Sequence, residues 1–254
     1  MPEESRQAKS THFGYQDVSP EEKTEKVTAV FESVAGNYDV MNDVMSFGLH
    51  RVWKRHFVHL ANIRPHFQIL DLAAGTGDIS ALFAPKLGDR GSITLCDPNG
   101  AMLEEGRRRM VDKGLLKNIH YVQAMGEDLP FPEDHFDRVT IAFGLRNFTD
   151  KDKALRTIFK LLKPGGQLMV LEFSKPKQWL QGVYDTYSFK LLPKMGEIIA
   201  KDAESYKYLA ESIRKHPDQE TLKSMFEAAG FEKCDFLNLN GGIVSIHRGH
   251  KLSL

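Results

Sequence analysis

The segment Ile69-Leu70-Asp71-Leu72-Ala73-Ala74-Gly75-Thr76-Gly77-Asp78 constrains this chain more than any other. In it an apolar run reaches an acid and then turns on two glycines into a helical pattern. Twenty residues after Gly77 a second apolar run, Ile93-Thr94-Leu95-Cys96, ends in Asp97. The arrangement predicts a nucleoside-bearing cofactor at the carboxyl ends of two neighbouring parallel strands. Gly75 and Gly77 would let the cofactor approach the backbone, and Asp97 would accept hydrogen bonds from both ribose hydroxyls. A dinucleotide loop needs GxGxxG, whose third glycine brings a helix N-terminus close to a pyrophosphate. Here Ser80 stands at that third position, and Asp78 would repel a pyrophosphate. A cofactor with a cationic centre and an amino-acid tail, S-adenosylmethionine, suits Asp71 and Asp78 better. The competing readings are a nicotinamide-dependent oxidoreductase and an ordinary strand-to-helix turn.

From Phe67 onward apolar runs alternate with helical patterns, the signature of a parallel sheet with crossover helices. The expected strands are 67–72, 92–97, 119–123, 136–143 and 167–173, joined by helices near 77–87, 99–113 and 151–162. Lys163-Pro164-Gly165-Gly166 reads as a turn between the last of these helices and the fifth strand. A helix at 218–229 and strands at 231–239 and 243–249 follow, the two strands joined by Asn240-Gly241-Gly242, a hairpin signal. The prediction is an α/β fold with a Rossmann-like, seven-stranded, mostly parallel sheet whose last strand is antiparallel. Class I S-adenosylmethionine-dependent methyltransferases are built this way. Residues 1–18 are polar and are expected to be flexible, and 19–254 to form a single domain. Within it, helices over 19–63 would lie above the site. Ser19-Pro20-Glu21-Glu22 marks the start of the first helix, and a second spans about 48–63. On the second, Leu49, Trp53, Phe57 and Leu60 would form one apolar stripe, with Arg51, Lys54 and Arg55 opposite. Residues 176–215 read as a helical, substrate-side insertion rich in aromatic residues.

Among the 254 residues, 34 basic and 34 acidic side chains cancel, so nothing favours a nucleic-acid partner. Cys96 and Cys234 fall in expected strands and read as small apolar residues of a reducing compartment. No apolar run approaches the roughly eighteen residues of a membrane span. The N-terminus lacks a signal-peptide core and transit-peptide character, so a cytoplasmic protein is expected. His50, His56 and His59 have no acidic or cysteine partner in sequence, and no metal site is expected. After the third strand, Met125, Gly126 and Leu129 offer apolar faces and backbone groups to an adenine. The fourth strand ends Ala142-Phe143-Gly144-Leu145-Arg146-Asn147. Arg146 and Asn147 are unusual at a buried strand end unless they bind an anion or oxygen; a salt bridge or helix cap is the alternative.

The run Tyr38-Asp39-x-Met41-Asn42-Asp43-x-Met45-Ser46-x-Gly48-x-His50-Arg51-x-Trp53 resembles the first signature of the UbiE/COQ5 family of quinone C-methyltransferases. Leu162-Lys163-Pro164-Gly165-Gly166 with Leu171-Glu172-Phe173-Ser174-Lys175-Pro176 resembles its second. The resemblance covers nearly all of 11–251. It implies S-adenosylmethionine-dependent methylation of a ring carbon of a polyprenylated benzoquinol or naphthoquinol in ubiquinone and menaquinone biosynthesis. Family cofactor positions carry over to Thr76, Asp97, Met125, Gly126 and Ala142. The loop that commonly reads Asn-Ala-Glu is Met125-Gly126-Glu127 here, and Ala142 stands at a commonly serine position, so only backbone contacts survive at those places. On this reading Arg146, assisted by Asn147, stabilises the quinol oxygen, and Tyr38 and His50 touch the quinol head group. The lipidic quinol implies peripheral contact with the inner face of a membrane. A homo-oligomer, or association with other quinone-biosynthesis enzymes, is compatible with the resemblance. A methyltransferase for another acceptor and a non-catalytic scaffold of a quinone-biosynthesis complex are the further alternatives.

Overall fold

Strands that are apolar at every position need cover on both faces, and the core is divided accordingly. In the computed structural model, which describes residues 10–34, 42–43, 46, 48–186 and 203–252, strand β3 (Gln68–Leu72) sits near the middle of the sheet. Its Ile69 packs into a cluster with Trp53 and Phe57 of α2 (Leu49–Leu60) and Phe83 of α3 (Asp78–Phe83). Its Leu70 and Leu72 face the opposite cluster, with Leu155 and Ile158 of α5 (Lys151–Leu161) and Phe226 of α8 (Gln219–Ala228). Each such fully buried Ile, Leu or Phe contributes about 1.5–3 kcal/mol before entropy is subtracted.

Seven strands form the main sheet: β3, β4 (Ser92–Asp97), β5 (Ile119–Gln123), β6 (Phe136–Ala142), β7 (Leu162–Phe173), β8 (Glu232–Leu239) and β9 (Val244–His250). Their spatial order is β5-β4-β3-β6-β7-β9-β8. Strands β3 to β7 are mutually parallel, and β9 lies antiparallel between β7 and β8. The expected fold class holds. The chain runs outward from β3 to β5, then returns to place β6 on the other side of β3. That reversal opens a crevice beyond the strand ends beside β3.

Several boundaries follow local chemistry. Helix α1 (Pro20–Val34) opens with a reciprocal capping box, Ser19 N donating to Glu22 Oε2 at 2.9 Å and Glu22 N to Ser19 Oγ at 3.1 Å. Helix α4 (Gly100–Asp112) is capped by Asn99, and α5 by Asp150.

Three expectations need correction. Residues 11–18 are not loose: β1 (Thr11–Phe13) and β2 (Gln16–Val18) form a hairpin, and Phe13 stacks on Tyr208 at 4.1 Å between ring centroids. Lys163-Pro164-Gly165-Gly166 is no turn between elements but an excursion inside β7. Its pairing to β6 jumps from Phe136↔Leu162 to Arg138↔Gln167, and Gly165 N donates to Lys251 O. The buried face of α2 is His50, Trp53, Lys54, Phe57 and Val58, whereas Leu49 is exposed. Lys54 turns inward because Nζ pairs with Asp78 at 2.7 Å. The 176–215 insertion contains α6 (Gln178–Thr186) and α7 (Ala203–Lys215), with Trp179 75% exposed and Tyr206 buried. Tyr187, Phe189, Leu191 and Leu192 lie outside the described residues.

Helix α1 is fastened by an unusual group. Lys23 is buried, and its Nζ donates to Phe148 O at 2.9 Å; burial pulls its pKa down to about 7. The folded state therefore binds fewer protons than the unfolded state between about pH 7 and 10.5, so Lys23 makes stability rise with pH across that window. Lys151, lowered to about 8, acts in the same direction. In chemical denaturation, the difference between wild type and Lys23→Met should therefore vary with pH from 7 to 10. A pH-independent difference would mean that Lys23 does not titrate in the fold.

Candidate active site

Beyond the carboxyl ends of β3, β4 and β6 lies a cavity with about 780 Å³ of empty space. Ala73 and Gly75 line it after β3, Asp97 and Asn99 at the end of β4, and Met125 and Gly126 after β5. Ala142, Phe143, Gly144, Asn147 and Phe148 line it at the end of β6, and α1 contributes Thr24, Val27, Thr28 and Phe31.

Asp97 is tied into the glycine loop. Gly75 N donates to its Oδ2 at 2.8 Å, and Asn99 N donates to its Oδ1 at 2.9 Å. Burial nevertheless pushes its pKa up to about 6, against the pull of those two bonds. Each carboxylate oxygen keeps a further lone pair for an incoming donor. Asn99 spends its Oδ1 on capping α4, accepting from Met102 N, while its Nδ2 is buried without a partner. Two acceptors beside an orphaned amide donor match a vicinal diol, and the ribose of S-adenosylmethionine fits this set.

The backbone around the cavity is held in costly conformations. Ala73 and Phe143, at the outlets of β3 and β6, have φ of 54° and 59°. Such angles on residues with a Cβ cost of order 1 kcal/mol or more and cluster at functional sites. The two outlets also touch: a Cβ on Gly144 would overlap that of Ala73. Gly77, φ 78°, turns the loop into α3 where a side chain would strike Leu95 Cδ2 at 2.8 Å and Met110 Cε at 2.9 Å.

Of the residues nominated from sequence, Gly75, Asp97, Met125, Gly126, Ala142 and Asn147 all line the cavity. Thr76 and Gly77 shape the loop without lining it. Asp71 stands behind the loop: Ser80 Oγ donates to its Oδ2 at 2.6 Å and Thr140 Oγ1 to its Oδ1 at 3.1 Å. It joins β3 to α3 and β6, and burial raises its pKa to about 6. Asp78 lies in a separate shallow recess, paired with Lys54 at 2.7 Å and Arg109 at 3.6 Å. The expectation that these two acids face a sulfonium is therefore wrong, as is the use of Asp78 against a pyrophosphate. His50 belongs to that recess too, its Nδ1 2.8 Å from Ser46 Oγ, with burial and then Lys54 lowering its pKa. Tyr38 lies outside the described residues.

Arg146 is not in the cavity wall. Its NH1 donates to Glu172 Oε1 at 2.9 Å and to Phe143 O, and its backbone N donates to Glu172 Oε2 at 3.2 Å. Both side chains are buried. The anion that explains an arginine at this strand end is Glu172. Asn147 reaches the cavity while its Oδ1 accepts from Tyr208 O–H at 2.9 Å. Burial raises the Tyr208 pKa, keeping it a protonated donor.

The sequence nominated neither Asn99 nor Phe148 as a site residue, although Asn99 had a local signal, an N-cap residue before a helical pattern. Helices over 19–63 were expected above the site, and α1 does line the cavity; which of its side chains do so was not assigned.

The family model described as the ubiE/COQ5 methyltransferase family matches residues 19–251. The chain is 59% identical over 246 residues to the ubiquinone/menaquinone biosynthesis C-methyltransferase UbiE of Shewanella sp. (strain W3-18-1), covering 96% of this chain and 98% of that one. The protein of the same description from Shewanella frigidimarina is 59% identical over 244 residues, covering 96% and 97%. Among solved structures, a SAM-dependent methyltransferase from Aquifex aeolicus superposes with a TM-score of 0.60 at 14% identity, over 78% of this chain and 89% of that one. The [4+2]-cyclase SpnF gives 0.62 at 17% identity over 81% of each chain. At these identities the structures report the fold alone.

Two predictions follow from the geometry. Ribose hydroxyls donate to the charged form of Asp97, so affinity for S-adenosylmethionine should be level above pH 7 and fall about tenfold per unit below pH 6. Asp97→Asn should weaken binding roughly 10- to 100-fold and abolish this slope, measured by isothermal titration calorimetry. Arg146→Ala strands the buried Glu172 carboxylate and should cost about 3–5 kcal/mol in chemical denaturation. A loss below about 1 kcal/mol would show that the pair is not structural.

Proposed function

The chain belongs to the ubiE/COQ5 methyltransferase family, and from that premise we infer that it C-methylates a polyprenylated quinol ring with S-adenosylmethionine, in ubiquinone and menaquinone biosynthesis. The observation that carries the site assignment is the buried Asp97 carboxylate on Gly75 N beside the unpartnered Asn99 amide.

Bound there, S-adenosylmethionine supplies an electrophilic methyl carbon on a sulfonium. Asp97 and Asn99 would hold its ribose, and Met125 and Gly126 would flank the adenine. The Ala142–Gly144 outlet would border the reacting end, where the rigid β3 and β6 outlets meet. The quinol ring carbon is itself the nucleophile, so the protein's task is to position it, exclude water and stabilise negative charge on the ring oxygen. Asn147 suits the last role: Tyr208 occupies its Oδ1, which leaves Nδ2 to donate to that oxygen. Arg146 and Glu172 act as positioning residues that fix the segment carrying Asn147. Thr24, Val27, Thr28 and Phe31 would exclude water from above. Tyr38 stays a candidate for the head group, while His50 is set aside by its position in the other recess.

Residues 19–254 would act as one catalytic domain. No helix among the described residues is long and apolar enough to cross a membrane. A polyprenyl tail would be met by peripheral contact at the cytoplasmic face. Supporting this are the exposed Trp179 on α6 and Lys175 and Lys177 just before it.

Transfer of labelled methyl from S-adenosylmethionine to a demethylated quinol tests the assignment. Asn147→Ala should lower kcat roughly 10²-fold with the cofactor Kd nearly unchanged; full turnover in that variant would remove Asn147 from the site. A deletion strain should accumulate the demethylated quinol, and an unchanged quinone profile without a second copy of the gene would overturn the function.

A further inference from the structure

A second recess lies past the end of β7, where Ser174, Lys175, Arg214, His216 and Asp218 line about 710 Å³ of empty space. It shares no lining residue with the cofactor cavity. The Arg146–Glu172 pair belongs to the segments between them, since Asn147 lines one space and Ser174 the other.

Two features set this recess apart. His216 is nine-tenths buried, yet neither Nδ1 nor Nε2 has a hydrogen-bond partner among the described residues. Ser174 is also buried, and its Oγ is likewise unpartnered. Buried polar atoms are almost always satisfied, and a native group that is not calls for an explanation. An imidazole and a hydroxyl unpartnered in one recess indicate a ligand that hydrogen-bonds to both. Lys175 brings a positive charge to the rim. Among the described lining residues Asp218 is the one acid, and its Oδ1 caps α8 by accepting from Thr221 N at 3.0 Å. Burial keeps His216 neutral, and Lys151, Arg146 and His247 push the same way. The burial opposes charge of either sign, but the nearby positive charges, Lys151 first, favour an anion over a cation.

We propose that Ser174 and His216 form a binding site for a tetrahedral oxyanion of the phosphate class, with Lys175 supplying charge at its mouth. Ser174 O–H and one imidazole N–H donate to two of its oxygens. A free phosphate or the phosphate of a lipid headgroup presents the same chemistry. The site goes beyond the methyl-transfer reading and stands independently of it, because none of its residues lines the cofactor cavity.

The test uses the full chain saturated with S-adenosylmethionine, so that the first cavity is filled. Inorganic phosphate is titrated at constant ionic strength against chloride and followed by calorimetry. The wild type should bind saturably, His216→Leu should bind at least tenfold more weakly, and Ser174→Ala several-fold more weakly. Circular dichroism and affinity for S-adenosylmethionine should be unchanged in both variants. Ser174→Ala, a smaller change, keeps the test intact if His216→Leu fails to fold. Absence of saturable phosphate binding to the wild type, or equal binding by wild type and Ser174→Ala, overturns the site. Phosphatidylcholine vesicles with and without phosphatidic acid then identify the source. Competition by the phosphatidic-acid vesicles, lost in Ser174→Ala, assigns a lipid headgroup; phosphate binding without competition assigns a free phosphate.

Discussion

The arrangement of the site depends on one buried ion pair. Glu172, near the end of β7, gathers Arg146 NH1, Arg146 N and Phe173 N, while the same guanidinium donates to Phe143 O. Two adjacent strand outlets are thereby bound through side chain and backbone together. A pair this deeply desolvated adds little net stability over hydrocarbon of the same shape, but losing one partner is expensive. Its value is geometric. It fixes where β6 stops and the short helical turn Leu145–Asn147 begins, so Asn147 meets the cavity with its amide orientation set by Tyr208.

The fold was largely legible because its signals are local. The glycine loop, the alternating apolar runs and the Asn-Gly link between β8 and β9 each report on a few consecutive residues, and the strands of the main sheet fell close to where those signals put them, except that β7 starts five residues early at Leu162. The cavity lining was legible wherever a residue stands at its own strand end, as at Asp97 and Asn147. It was misread where partners come from distant sequence. Asp71 faces Ser80 and Thr140 behind the sheet, Asp78 faces Lys54, and Arg146 faces Glu172. Each is an ionisable side chain in a place that suggests chemistry, and each is satisfied by a group that periodicity cannot locate. Lys163-Pro164-Gly165-Gly166 shows the same limit for backbone: turn chemistry is present, but the partner at Lys251 makes it an excursion within a strand.

Architecture and chemistry separate clearly here. A methyltransferase from Aquifex aeolicus and a [4+2]-cyclase share this fold to similar degree. The sheet supplies a crevice and a place for a nucleoside; the acceptor is decided by what covers the crevice. In this chain part of that cover is α1, closed by its capping box and fastened by Lys23 to the carbonyl of Phe148. One end of the contact is cavity-side: Phe148 itself lines the space that α1 roofs.

The left-handed backbone at Ala73 and Phe143 bears on how such a protein can be improved. Glycine at either place would relieve local strain, and alanine for glycine is an ordinary route to a hardier protein, but here a Cβ on Gly77 or Gly144 would collide with packed neighbours. Around this crevice those routes converge on the same few residues that give the cavity its shape. An engineer seeking heat resistance would gain most by leaving the strand outlets alone and working at the opposite end of the sheet, where stability and turnover do not compete.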